Sequence, residues 1–146
     1  MKVKEIGVHF AFIKASQGTS TKDPLFSTNW QAAREAGILR GAYHYFHPKF
    51  DAVQQARFFH QQFLEDPGEL PPVLDLEAPE LTGLPLAARV LKFLQELESL
   101  TGKRTILYTS PGFWNSYLTP YPPEWAHLHP LWIAHYGVGR PTIPYP

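Results

Sequence analysis

Residues 70–80, LPPVLDLEAPE, end an apolar run with two carboxylates one residue apart, Asp75 and Glu77. In a strand, side chains repeat with period two, so these two face the same side with Cα atoms about 6.5 Å apart. Carboxylates held that close repel each other, and the more desolvated one can keep a proton while the other is ionised. A proton donor beside an anion is what glycosidic bond cleavage needs. The pattern alone equally suits two solvated residues at a strand end, or a carboxylate capping the next turn.

Seven histidines raise a second chemistry. His44 and His47 fall near one expected strand end and His135 near another, and with Asp75 and Glu77 they would make a zinc hydrolase site. Compact pairing such as H-E-x-x-H is missing, and His44 alternates with Tyr43, so it points away from any cavity that Tyr43 faces. No metal and no cofactor is expected. The sequence also has neither the G-x-S-x-G elbow of serine hydrolases nor a phosphate-binding loop.

The elements that must hold Asp75 and Glu77 follow from periodicity. Strands are expected over residues 9–16, 38–46, 71–77, 104–110 and 130–137, all rich in branched or aromatic residues. A first helix runs through NWQAAREAG from a cap at Ser27 or Thr28 to a left-handed Gly37. A second starts after Asp51, repeats Val53, Ala56, Phe59 or His60 and Phe63 at helical spacing, and stops at Pro67-Gly68. A third runs from about Pro85 to Thr101-Gly102. Ser110 and Pro111 open a short fourth one. Strands alternating with helices make an α/β fold with a mainly parallel sheet, open or curled into part of a barrel. Ligands of such sheets sit beyond the carboxyl ends of the strands, where Asp75 and Glu77 stand. Lys14, Ser16 and Gln17 end the first strand on that side, facing sugar hydroxyls or simply solvent. Asp23 starts the turn at Pro24.

At 146 residues, with 44% hydrophobic and 14% aromatic content, the chain suits one domain over residues 1–146. Thirteen basic residues balance thirteen acidic ones, which speaks against nucleic acid or an anionic membrane as partner. Without cysteine there is no disulfide framework, thiol nucleophile or cysteine-based zinc site. No apolar run approaches a membrane span of roughly 20 residues, and MKVKEIGVHFAFIKAS is too short and too charged for a signal peptide.

The blocks FAFIKASQGTSTKDPLFSTNWQAAREAGILRGAYHYF, LPPVLDLE, ILYTSPGFW and PLWIAHY resemble, in order and spacing, the glycoside hydrolase family 25 lysozymes of the Chalaropsis type. That resemblance implies an irregular TIM-like β/α barrel and an N-acetylmuramidase that cleaves the β-1,4 bond between N-acetylmuramic acid and N-acetylglucosamine in peptidoglycan. It implies Glu77 as general acid/base, Asp75 orienting or stabilising the substrate's acetamido group, and net retention. Tyr43 and Tyr108 match aromatic positions lining that family's cleft, though barrel packing explains each as well. Trp132 and Tyr136 have the spacing to share a face, Trp132 as a sugar platform or as core, with core slightly favoured. Peptidoglycan glycan strands are then the partner, and the cell wall the place of action.

Relative to that family, the chain lacks an opening strand with D-x-S and a closing tryptophan-glutamine strand with D-x-N. Its start matches the helix end before the family's second strand. The expectation is an incomplete barrel, missing the first and last strands, whose open edges favour self-association. Such a chain works through Asp75 and Glu77 as a muramidase, or survives as a catalytically impaired peptidoglycan- or sugar-binding module.

Overall fold

The computed structural model describes residues 7–118 and 123–144; the helix end expected before residue 7 lies outside them. The chain builds β1 (Phe10–Gln17), β2 (Thr21–Lys22), α1 (Phe26–Glu35), β3 (Leu39–Tyr45), α2 (Ala52–Gln61), β4 (Val73–Asp75), α3 (Gly83–Thr101), β5 (Ile106–Thr109) and α4 (Pro111–Tyr117). A 3-10 turn (Glu124–Leu128) and β6 (Leu131–Ile133) follow. The sheet order is β2-β1-β3-β4-β5-β6. Neighbours from β1 to β6 are parallel, and only the short β2 runs antiparallel, against Ser16 and Gln17. The α/β class expected from alternation is therefore present. Among the described residues the sheet is open, with β2 and β6 at its edges, so they do not form the closed barrel.

Several boundaries differ from the sequence expectation for local reasons. The N-cap of α1 is Leu25 rather than Ser27 or Thr28, which lie inside its first turn, because the Asp23 carboxylate accepts from the Leu25 N–H and the chain turns early. Asp51 caps α2 as expected, accepting from the Gln54 N–H at 2.8 Å, but α2 ends at Gln61 instead of running toward Pro67. Ser110 caps α4 through the Phe113 N–H at 3.0 Å. β4 is only three residues long, so Glu77 stands just beyond it, while the Leu76 N–H still donates to Tyr108 O at 2.9 Å.

Period two divides the strands between two faces. Ala42, Leu74, Leu76 and Leu107 point outward into a core with Phe59, Val90, Phe93 and Leu94 from α2 and α3. Each fully buried Leu or Phe there contributes about 2 kcal/mol of transfer free energy. The opposite, concave face carries Tyr43, Asp75 and Tyr108.

At the N-terminal end of the strands a buried cation fixes the approach to β4. Arg40, 2% exposed, donates from Nη1 to Asp66 Oδ2 at 2.7 Å and from Nη2 to Glu69 Oε1 at 2.9 Å, with its guanidinium over the Trp30 ring. Gly68 between those acids has φ +69°, and a Cβ there would strike both the Trp30 ring and Arg40 O. Only glycine lets the α2 to β4 connection press this close. The three-residue strand bearing Asp75 starts from that anchored connection.

Candidate active site

Four parallel strands set the floor of the site through their register. Tyr43 of β3 pairs with Lys14 of β1 and Val73 of β4, and Tyr45 pairs with Gln17 and Asp75. Asp75 in turn pairs with Tyr108 of β5. A bulge between Lys14 and Ser16 leaves Ala15 unpaired with β3. It puts Lys14 and Gln17, three apart, on one face, where Lys14 Nζ donates to Gln17 Oε1 at 2.7 Å and lies 5.5 Å from the Tyr45 ring centroid.

On the concave face Phe12, Tyr43, Val73, Asp75, Glu77, Tyr108, Trp132 and Tyr136 line a cavity of about 320 Å³. Six of the eight are residues singled out from the sequence. A larger groove along β1 and α1 holds neither Asp75 nor Glu77, so the smaller cavity carries the candidate chemistry. Lys14 and Gln17 do not line the cavity; Lys14 borders the groove instead.

Asp75 is 8% exposed, whereas Glu77 is open to solvent. Burial is the main reason that the Asp75 carboxyl is pushed from its ordinary 3.8 up to about 7. The Glu77 charge and a contact with the Glu77 carboxyl add to it, and the Lys14 charge opposes it. Two ionised carboxylates cannot hydrogen-bond, so that contact is a bond only when the pair shares a proton. The raised proton affinity leaves Asp75 able to hold a proton near neutral pH. Asp75 Oδ1 is buried without a hydrogen-bond partner, leaving it able to accept.

Aromatic rings form the walls. Trp132 is 42% exposed and faces the cavity, which corrects the slight preference for a core role: β6 is a sheet edge, and only part of the ring is covered, by Phe12 and Tyr108. Its ring packs edge-on to Tyr108 at 5.1 Å. Tyr108 Oη lies 3.4 Å from Tyr136 Oη, a contact that raises the proton affinity of Tyr108, and Tyr136 is 84% exposed. Burial raises the proton affinity of Tyr43 as well.

The histidines do not converge. His44 is buried on the other side of the sheet, bonded to Ser16 and Gln55. His47 contacts Glu80, and His135 Nδ1 accepts from the Thr142 N–H. Among the described residues no three His, Cys, Asp or Glu side chains are grouped to hold a metal. No helix among them is long and apolar enough to cross a membrane.

Sequence reading missed Phe12 and Val73. Both share the parity of residues already noted, Phe12 with Lys14 and Val73 with Asp75. That signal was present but was spent on polar side chains.

The model of glycosyl hydrolases family 25 matches residues 1–145. The uncharacterized protein YegX of Escherichia coli K12 is 44% identical over 142 residues, covering 97% of this chain and 51% of YegX. The chain thus spans about half the length of that curated relative. The N,O-diacetylmuramidase of Chalaropsis sp is 33% identical over 153 residues, 94% of this chain and 72% of that protein. The solved lysozyme from Streptomyces coelicolor superposes with a TM-score of 0.86 at 32% identity, over 98% of this chain and 70% of that one.

Proposed function

We propose that this chain, which belongs to glycosyl hydrolases family 25, is a peptidoglycan-cleaving N-acetylmuramidase in which Glu77 is the general acid/base and Asp75 assists. The observation that carries this reading is a buried Asp75 and an exposed Glu77 lining one aromatic-walled cavity. Relatives named lysozyme and N,O-diacetylmuramidase support the substrate class. Peptidoglycan glycan strands are the partner, the cell wall the place of action, and residues 1–146 one catalytic domain.

The spacing of the carboxyls favours one stereochemical course. Retaining enzymes with a carboxylate nucleophile place their two carboxyls about 5–5.5 Å apart, flanking the bond, and inverting ones place them farther apart. Asp75 and Glu77 leave the same strand end two residues apart and line one cavity, so they act from one side. The proton passes through Glu77 to the glycosidic oxygen as the C1–O bond breaks. Asp75, now anionic, accepts the acetamido N–H, and the acetamido oxygen closes on C1. Glu77 then takes a proton from the water that opens this ring intermediate, and the product keeps its configuration. Trp132 and Tyr136 offer flat faces to the sugar rings, while Tyr43 and Tyr108 border the carboxyls. Lys14 and Gln17 contribute at the rim next to Tyr45.

The curled sheet reads as part of an irregular β/α barrel. Between Phe10 and Lys14 the outer edge of β1 pairs with no strand among the described residues, and a second copy can pair there. Sedimentation at micromolar concentration should then show a dimer, and a monomer throughout would remove this point. The reading as a binding module is favoured only by the exposed aromatic wall. It predicts retention on peptidoglycan without release of reducing ends. Clearance of a peptidoglycan suspension by the parent and by Glu77→Gln, with reducing ends counted, separates the two.

A further inference from the structure

The role of Glu77 leaves unused a chain of polar contacts that starts in the core behind the sheet and ends three residues after Glu77. We propose that Glu80, gripped by the loop at His47, is the positioning residue that holds Glu77 in place; this rests on the reading of Glu77 as general acid/base.

The grip is anchored from inside. Gln55 is fully buried, and its Nε2 donates to His47 O at 2.9 Å while its Oε1 accepts from the His47 N–H at 3.0 Å. A backbone N–H and C=O from one residue fix which end of the carboxamide is which. Oε1 also faces His44 Nε2 at 3.2 Å, so that nitrogen carries the hydrogen. His44 Nδ1 is then the acceptor for the Ser16 hydroxyl at 2.9 Å. The His44 ring packs against Phe59 and Phe93, and burial holds its pKa down at about 4, so this neutral tautomer persists at working pH.

From the anchored loop two donors reach one carboxylate. His47 Nδ1 donates to Glu80 Oε1 at 3.2 Å, and the Lys49 N–H donates to Glu80 Oε2 at 3.2 Å. The Glu80 N–H bonds back to Ala78 O at 2.9 Å, tightening the turn after Glu77. On the other side of Glu77, Leu76 is held in the ladder by Tyr108 O. Glu77 is exposed and lies outside β4, so these two flanking ties hold the backbone that aims its side chain. An ordinary surface ion pair contributes little. Here both carboxylate oxygens are engaged by one rigid loop, and a displacement of about 1 Å at a catalytic group costs on the order of 100-fold in rate.

The test compares turnover on peptidoglycan with the first-turnover release of dinitrophenolate from a dinitrophenyl 2-acetamido glycoside, a step that needs no protonation and precedes the proton transfer from water. Parent, Glu77→Gln, Glu80→Ala and Glu80→Gln are measured alongside their Tm values. Glu80→Ala is expected to lower kcat on peptidoglycan by about tenfold or more, with KM nearly unchanged and a much smaller loss on the aryl glycoside. Glu80→Gln, which keeps the acceptor for His47 and loses the one facing the Lys49 N–H, is expected to restore part of the rate. If Glu80→Ala does not fold, His47→Ala removes the same tie from the opposite side with the same expectation. Equal losses on both substrates, or full activity on peptidoglycan, overturn the inference when Glu77→Gln is inactive. A fully active Glu77→Gln overturns the reading of the site, and this inference with it.

Discussion

Phe12 of β1 and Trp132 of β6 lie with ring centroids 5.1 Å apart at 49°, although three strands separate β1 from β6 in the sheet. Two side chains meet across that span only because the twisted sheet curls into a trough. The contact closes the N-terminal side of the cavity with two rings and gives the carboxyl pair an apolar neighbourhood. Burial of Asp75, and hence its retained proton, is part of the same arrangement.

Gly41 makes that contact possible. It pairs with Phe12 in register, and a Cβ on it would come within 2.3 Å of the Phe12 ring. Gly41→Ala should push the ring out of its place over β3 at a cost of about 1–3 kcal/mol. Thermal unfolding together with peptidoglycan clearance checks this, and activity should fall at temperatures where the variant is still folded. Unchanged Tm and activity would show that the floor tolerates another arrangement.

Asp75→Asn should stabilise the protein at high pH while impairing catalysis. The folded carboxyl titrates near 7 and the unfolded one near 3.8, so folding takes up a proton between these values. The favourable contribution is complete below about 3.8 and is lost as the pH rises through about 7. The variant should match the parent near pH 4 and exceed it at pH 8 by on the order of 2–4 kcal/mol. His44 works with the opposite sign: with its pKa held near 4, its contribution is present above about 6.5 and lost as the pH falls. The difference between variant and parent at two pH values, by denaturant titration, therefore isolates Asp75. An equal difference at both would contradict the raised proton affinity.

Trp132→Ala should weaken substrate engagement more than chemistry. The ring is half exposed and supports Tyr108 at 5.1 Å, so its loss removes a stacking face of about 1 kcal/mol and loosens its neighbour. KM for soluble peptidoglycan fragments should rise about fivefold to tenfold with kcat little altered. A large fall in kcat at constant KM would place the ring at the reacting bond instead.

Much of this was legible in the residues themselves. Period-two alternation brought Asp75 and Glu77 together, put His44 behind the sheet, and paired Tyr43 with the cavity. Asp51 and Ser110 announced their helices because a capping side chain acts within three residues of its own position. What escaped depends on contacts distant in sequence. The bulge at Ala15 lies just before the residues of β1 that pair with both β3 and β2, and no local signal in KASQ marks it. The Gln55 carboxamide, at a core position of α2, makes sense only beside His44 and the backbone of His47. Phe12 read as an ordinary strand residue because the curl that brings Trp132 to it belongs to the whole sheet.

The central claim is that Glu77 moves the proton that cleaves the glycan. Clearance of a peptidoglycan suspension, with reducing ends counted, is measured for the parent and for Glu77→Gln at pH 6, below the raised pKa of Asp75. The parent should clear the suspension and release reducing ends, and Glu77→Gln should lose activity by about 100-fold or more with its fold intact. Clearance by Glu77→Gln at the parent's rate would contradict it.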